Sequence, residues 1–209
     1  MDLWTYEREQ WNSGAETVCG VDEAGAGPLM GPVYAAAVIL PRKLDIPGLN
    51  DSKKLTEKKR EALYEVITAQ AVAYSVARVE AAEIDEMDIL NARMLAMQKA
   101  IDGLTVRPDL ALIDGNRDHG SQYAIQLPHQ LIVGGDGKSA SIAAASILAK
   151  VSRDRYVSTE LDARYPQYQF AKHKGYGTKL HYELIAQYGI QPFYRRSFLK
   201  KQGYWPEGK

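Results

Sequence analysis

In Val18-Cys19-Gly20-Val21-Asp22-Glu23-Ala24-Gly25-Ala26-Gly27-Pro28, an apolar run ends on two adjacent carboxylates and breaks into a glycine-rich turn. Burying two adjacent carboxylates at a strand end is costly unless a cation or hydrogen bonds hold them, and stability alone would favour Val or Ile there. The pair therefore reads as a site. A second β-rich run over 33–40 follows the turn and stops at Pro41. The stretch is thus two neighbouring strands with the site at their connection.

Working outward, Thr56 is a plausible N-cap for a helix reaching about Gln70, with Leu63 and Ile67 on one face. Residues 71–79 alternate apolar with small or polar side chains and predict a third strand. Leu90, Met94, Met97 and Ile101 recur at helical spacing and stop at Gly103, a stripe better suited to core filling than to a cofactor. Compact apolar runs over 110–113 and 130–133 predict two more strands, ending on Asp114-Gly115-Asn116 and on Gly134-Gly135-Asp136. After Ser139, Ala143, Ala144, Ala145 and Ala149 build a helix slim enough to approach a sheet closely, and Pro166 closes it. A last helix runs from near Thr178 to Gly189 and leaves a basic and aromatic tail. This order predicts an α/β fold with a mixed sheet and a helical C-terminal part.

Three of these strands deliver an acid where the chain turns, at Asp22, Asp114 and Asp136. Asp-Gly turns are common without function, so Asp114 alone reads as a turn and the set of three reads as a site. Strand ends along one edge of an α/β sheet are where ligands bind. Hard oxygen donors with no Cys or His beside them suit Mg²⁺ or Mn²⁺ over zinc, and two such ions assist phosphodiester cleavage. Neighbours on a strand point to opposite faces, so Asp22 and Glu23 share an ion only if the strand ends or bulges at Ala24-Gly25. Otherwise Glu23 contributes its backbone carbonyl or acts through water.

Composition sets bounds on these readings. A chain of 209 residues supports one well-buried core with a small appended subdomain, and no apolar run approaches the roughly 20 residues of a membrane span. Residues 1–11 lack the pattern of a secretory signal, and the single Cys19 in an apolar strand fits a reducing cytoplasm and a small core residue. Zero net charge excludes a globally basic nucleic-acid footprint. Basic residues nevertheless gather at Lys53, Lys54, Lys58, Lys59 and Arg60, at Lys172, His173 and Lys174, and at Arg195, Arg196, Lys200 and Lys201. Solvated helix faces explain the first cluster equally well. The glycines at 25, 27 and 31 do not have dinucleotide-binding spacing, and no phosphate-loop, metalloprotease or nucleophile-elbow pattern is present.

Read in order, Gly20-Val21-Asp22-Glu23-Ala24-Gly25, Asn50-Asp51-Ser52-Lys53-Lys54-Leu55 and Ile113-Asp114-Gly115-Asn116 resemble bacterial ribonuclease HII. The likeness continues through Gly135-Asp136, Ala143-Ala144-Ala145-Ser146-Ile147-Leu148-Ala149-Lys150-Val151 and His173-Lys174-Gly175-Tyr176-Gly177-Thr178, covering nearly the whole chain. The resemblance implies a ribonuclease H-like mixed five-stranded sheet flanked by helices, with a catalytic domain over 1–165 and a helical C-terminal subdomain over 166–209. It implies Mg²⁺- or Mn²⁺-dependent cutting of the RNA strand of RNA–DNA hybrids and of DNA duplexes holding single ribonucleotides. The cut falls 5′ of the ribonucleotide and leaves a 3′-hydroxyl and a 5′-phosphate, serving ribonucleotide and primer removal; independently of the resemblance, the cysteine usage points to the cytoplasm and a monomer is the default expectation. The metal-binding acids map to Asp22, Glu23, Asp114 and Asp136, and a junction-sensing tyrosine maps to Tyr176.

Further candidate substrate contacts are the turn Gly25, Ala26 and Gly27, phosphate-positioning Lys53 and Lys54, Arg196, and Ser139, which is equally an N-cap. The helix N-terminus after Asp136 would favour a phosphate. One departure matters: the family usually has Gly-Arg-Gly or Gly-Lys-Gly where this chain has Gly25-Ala26-Gly27. Ala26 keeps the backbone N–H but lacks the cation, so weaker binding with retained ribonucleotide preference is expected, and Ala26→Arg should tighten binding without moving the cut. Ribonuclease HIII is the related alternative, though it normally carries an N-terminal domain for which the residues before the first strand leave no room. A non-cleaving junction binder is the alternative from another class. No clear clamp-docking peptide is visible in the tail over 198–209.

Overall fold

The computed structural model describes residues 2–42, 44–201 and 203–204. Its elements are α1 (Thr5–Asn12), β1 (Val18–Ala24), β2 (Val33–Ile39), α2 (Glu57–Gln70), β3 (Ala73–Val79), α3 (Ala81–Met87), α4 (Ile89–Asp102), β4 (Leu110–Asp114), β5 (His129–Ile132) and α5 (Ala140–Arg155). After α5 the helical path continues through a π-wound stretch, Tyr156–Leu161, into the short α6 (Asp162–Arg164). Then come α7 (Phe170–His173), α8 (Lys179–Tyr188) and α9 (Arg196–Lys201). Among the described residues, five strands form one sheet in the order β3-β2-β1-β4-β5. β1 pairs antiparallel with β2 and parallel with β4, so the sheet is mixed as expected.

The period-2 alternation of strands sorts two cores. Cys19 and Val21 of β1, Val33, Ala35 and Ala37 of β2, and Ala111 and Ile113 of β4 pack toward Met94, Met97 and Ile101 of α4. Burial pushes the Cys19 thiol up to about 12, an inert core group. The opposite parity, Ala36 and Val38, packs against Ala144, Ala145 and Leu148 of α5 and against Leu63 and Ile67 of α2. The predicted Ala-rich helix meets β1 at Gly20. A Cβ built there would lie 2.1 Å from the carbonyl carbon of Ser141 and 2.3 Å from the amide nitrogen of Ile142.

Thr56 caps α2 by accepting from the Lys59 amide, and Gly103 ends α4, as the spacing predicts. Periodicity did not reveal α1 or α3. α3 begins in a capping box between Glu80 and Glu83, a signal present in sequence beneath an acidic run. α1 carries Glu7, buried, whose Oε1 accepts from Ser139 Oγ, the Ser141 amide and Ser141 Oγ. An N-terminal helix thereby anchors the start of α5.

The described part of the expected basic and aromatic tail after Gly189 packs and carries a further helix, α9. Tyr168, Phe170, Leu184, Ile185, Tyr194 and Leu199 share an apolar cluster with Leu29 and Met30, and Met30 bridges Tyr194 through the backbone. The third basic cluster divides: Arg195 is fully buried, while Lys200 and Lys201 lie in the last turn of α9. No helix among the described residues is long and apolar enough to cross a membrane.

Candidate active site

Strand register brings the first two acids together. Val21 pairs with Ile113 in the parallel β1–β4 ladder, so the next residues along, Asp22 and Asp114, leave the sheet on the α5 face. Asp136 arrives from the short 3₁₀ turn Gly135–Gly137 after β5. One carboxylate oxygen from each of Asp22, Asp114 and Asp136 lies within 4.8 Å of the others. Asp22 and Asp136 are buried, and Asp114 is partly so.

Few protein donors reach these oxygens. Asp22 Oδ1 accepts from the Glu23 amide at 2.7 Å, and Asp114 Oδ1 accepts from the Gly135 amide at 2.6 Å. Lys53 Nζ stands 3.2 Å from Asp136 Oδ2 at the exposed mouth of the group. Burial, reinforced by Glu23 and Asp114, pushes Asp22 well above the usual carboxylate range. Burial likewise raises Asp136, with Asp114 adding to it and Lys53 opposing. Such an array is short of positive charge, and hard divalent cations match its donors.

Glu23 departs from the expected quartet. Strand alternation turns it to the α4 face, where its Oε1 accepts a 2.6 Å ion pair from Arg93. β1 continues through Ala24, so the strand does not end early enough to swing Glu23 round. Its Oε2 is buried with no hydrogen-bond partner among the described residues. Burial raises its pKa while Arg93 counteracts the shift. One free oxygen beside the triad fits a role at one remove, through water or a second ion.

The substrate-side candidates fall out unevenly. Gly25 has φ +90°, and a Cβ there would strike Arg153 Nε at 2.1 Å, so the turn requires glycine. Tyr176 is 42% exposed beside this turn, its ring 5.8 Å from both Lys150 Nζ and the Arg153 guanidinium carbon. Lys54 pairs loosely with Asp51, at 3.7 Å, near Gly137. Ser139 is a correction. It is fully buried, accepts from the Ile142 amide as N-cap and donates to Glu7, so it reaches no substrate.

The α5 N-terminus is also no phosphate site, because its first amides are taken by Leu3 O, Glu7 and Ser139. Arg196 opens α9, its amide held by Asp85, and it lines a cleft with Ala82, Glu86 and Pro192 instead of the acid group. His173 is a structural neighbour: it is buried, and its Nδ1 accepts from the Gly175 amide. Sequence reading missed Arg93 and Arg153, and placed Arg195 only within a basic cluster. For Arg93 the signal was available, since it lies one residue before Met94 on the helix facing Glu23.

Residues 19–201 match the model of the ribonuclease HII family. The chain belongs to the ribonuclease HII family. Its enzyme class is therefore that of the ribonuclease H endonucleases, and neither the type HIII alternative nor the non-cleaving binder stands. Ribonuclease HII of Shewanella sp. (strain MR-7) is 57% identical over 182 residues, covering 87% of this chain and 87% of that protein. Ribonuclease HII of Desulfitobacterium hafniense (strain DSM 10664 / DCB-2) is 52% identical over 196 residues, 94% of this chain and 74% of the relative. Among solved structures, ribonuclease H2 of Pyrococcus horikoshii OT3 superposes with a TM-score of 0.74 at 27% identity, over 90% of this chain and 96% of that one. Ribonuclease HII of Archaeoglobus fulgidus, solved in complex with PCNA, gives 0.67 at 26% identity over 91% of each chain. In the tail over 198–209, where a clamp-docking peptide would sit, Gln202 and residues 205–209 lie outside the described residues.

Proposed function

We propose that this ribonuclease HII cuts the RNA strand of RNA–DNA hybrids and nicks duplex DNA 5′ of a single embedded ribonucleotide, leaving a 3′-hydroxyl and a 5′-phosphate. The observation that carries this reading is the convergence of Asp22, Asp114 and Asp136 oxygens within 4.8 Å. When bound, Mg²⁺ or Mn²⁺ would activate water and stabilise the leaving oxygen. Asp22, Asp114 and Asp136 would hold the ions, and Glu23, fixed by Arg93, would offer its other oxygen beside them. Lys53 and Lys54 position phosphate without reading sequence.

Choosing RNA over DNA requires contact with the 2′-hydroxyl. The 25–27 turn brings backbone amides close to the sugar, since no large side chain intervenes. Tyr176, exposed next to Gly27, stacks on the deoxyribose that follows, where an added hydroxyl would clash. Residues 166–209 serve as a helical subdomain that completes this substrate face on a catalytic domain over 1–165. We assign the enzyme to ribonucleotide and primer removal in the cytoplasm, acting as a monomer.

A DNA duplex with one ribonucleotide tests the activity. Nicking 5′ of that nucleotide is expected with Mg²⁺ or Mn²⁺ and is expected to vanish in chelator. A duplex that is bound but never nicked in either metal would sink the reading. Tyr176→Ala should lower cleavage at isolated ribonucleotides about tenfold or more relative to a continuous hybrid, the scale of one lost base- or sugar-stacking contact. Equal losses on both substrates would remove its junction role.

A further inference from the structure

The least expected group beside the glycine turn is Arg195. It is fully buried, and no carboxylate pairs with it among the described residues. Its Nε donates to Gly31 O at 2.9 Å, Nη1 to Ala26 O and Pro28 O at 2.9 Å each, and Nη2 to Gly25 O at 2.7 Å. Its own amide donates to Leu29 O at 2.9 Å. One guanidinium thus gathers the carbonyls of a single turn around itself. On the other side, Arg153 of α5 fills the space where a Gly25 side chain would be and donates to Lys174 O at 3.1 Å.

Two buried guanidiniums facing neutral acceptors are an expensive way to join a loop to a subdomain, and apolar packing would serve stability better. Burial and the neighbouring Arg153 lower Arg195 to about 9. A consequence of peptide geometry makes the arrangement intelligible. In a trans peptide unit the C=O and the following N–H point in opposite directions. With Gly25 O and Ala26 O drawn inward, the N–H groups of Ala26 and Gly27 are turned outward. Ala26 is half-buried and Gly27 exposed, and neither amide has an acceptor among the described residues. By contrast, the Leu29 amide, beyond Pro28 O, is used up on Gly175 O at 2.9 Å.

We infer that Arg195 is the positioning residue behind ribonucleotide preference: its grip on the turn carbonyls presents the Ala26 and Gly27 amides to the 2′-hydroxyl. This rests on the reading that the turn meets the ribonucleotide, and it makes that preference independent of the side chain at position 26. Lysine cannot replace arginine here, because one ammonium cannot span four separated carbonyls.

The test is binding in chelator, where the strand stays uncut, of a single-ribonucleotide duplex and of its all-DNA counterpart. Wild type should prefer the ribonucleotide. Arg195→Gln and Arg195→Lys should lose about tenfold in affinity for it, roughly one hydrogen bond's net worth, with all-DNA affinity unchanged. Leu199→Ala, which loosens the apolar cluster behind the turn but leaves the Arg195 guanidinium in place, should lower Tm and keep the preference. An intact preference in the Arg195 variants, or its equal loss in Leu199→Ala, overturns the inference. In the wild-type protein, the Ala26 and Gly27 amide resonances should shift with the ribonucleotide duplex and stay still with all-DNA; unmoved amides overturn it without any variant. A wild type that lacks the preference altogether removes the underlying reading instead, and is told apart by that control.

Discussion

Asp22→Asn is expected to cut nicking by at least about 10²- to 10³-fold, the scale seen when one group stabilising a charged transition state is removed. Duplex binding should stay near the wild-type level, because the carboxylate serves cations and adds only repulsion toward phosphate. The same substitution should stabilise the metal-free protein. Burial, Glu23 and Asp114 raise Asp22 above its ordinary 3.8, so the folded state holds that proton more tightly than the unfolded chain. Stability without metal therefore falls as pH rises from 3.8 through the raised value, and is regained on acidification. Lowering the pH from the raised value toward 3.8 should show the Tm of wild type gaining on that of Asp22→Asn. A variant that loses folding together with binding would make Asp22 a structural residue.

Gly20→Ala is expected to destabilise by about 3 kcal/mol or more, the upper end for overpacking, because the added methyl meets backbone and not a movable side chain. Its Cβ would sit 2.1 Å from the Ser141 carbonyl carbon, so α5 must move off the sheet. For a domain of this size the corresponding fall in Tm is about 6–12 °C. Activity at permissive temperature should also drop, since Asp136 sits just ahead of the displaced helix start. Thermal unfolding with a parallel nicking assay checks both; a Tm within a degree or two of wild type would show that β1 and α5 part easily.

Much of the fold was legible because it lies in periodicities that local sequence records. The Leu90-Met94-Met97-Ile101 stripe, the Thr56 cap and the small-residue face over 143–149 each have one physical solution, and each was adopted. The triad was legible for a related reason: an acid at the end of an apolar run is conspicuous, and parallel register then aligns Asp22 with Asp114. Glu23 shows the limit. Its adjacency to Asp22 suggested a shared ion, yet strand alternation sends it to Arg93 on the other face.

What stayed hidden depends on partners distant in sequence. Glu7 reads as one more surface acid until α5 brings Ser139 and Ser141 to it. Arg195 and Arg196 are adjacent and chemically identical in the string. The first turns inward to the glycine turn near the other end of the chain, and the second opens α9 at the surface cleft. Ser139 was ambiguous for the same reason, because cap and phosphate contact demand the same residue at the same place.

Diffraction from crystals grown with Mn²⁺, read at the manganese absorption edge, addresses the acid cluster itself. An anomalous peak bridged by Asp22, Asp114 and Asp136, and lost in Asp22→Asn, is the expected result. An active protein whose manganese binds away from those three carboxylates would contradict it.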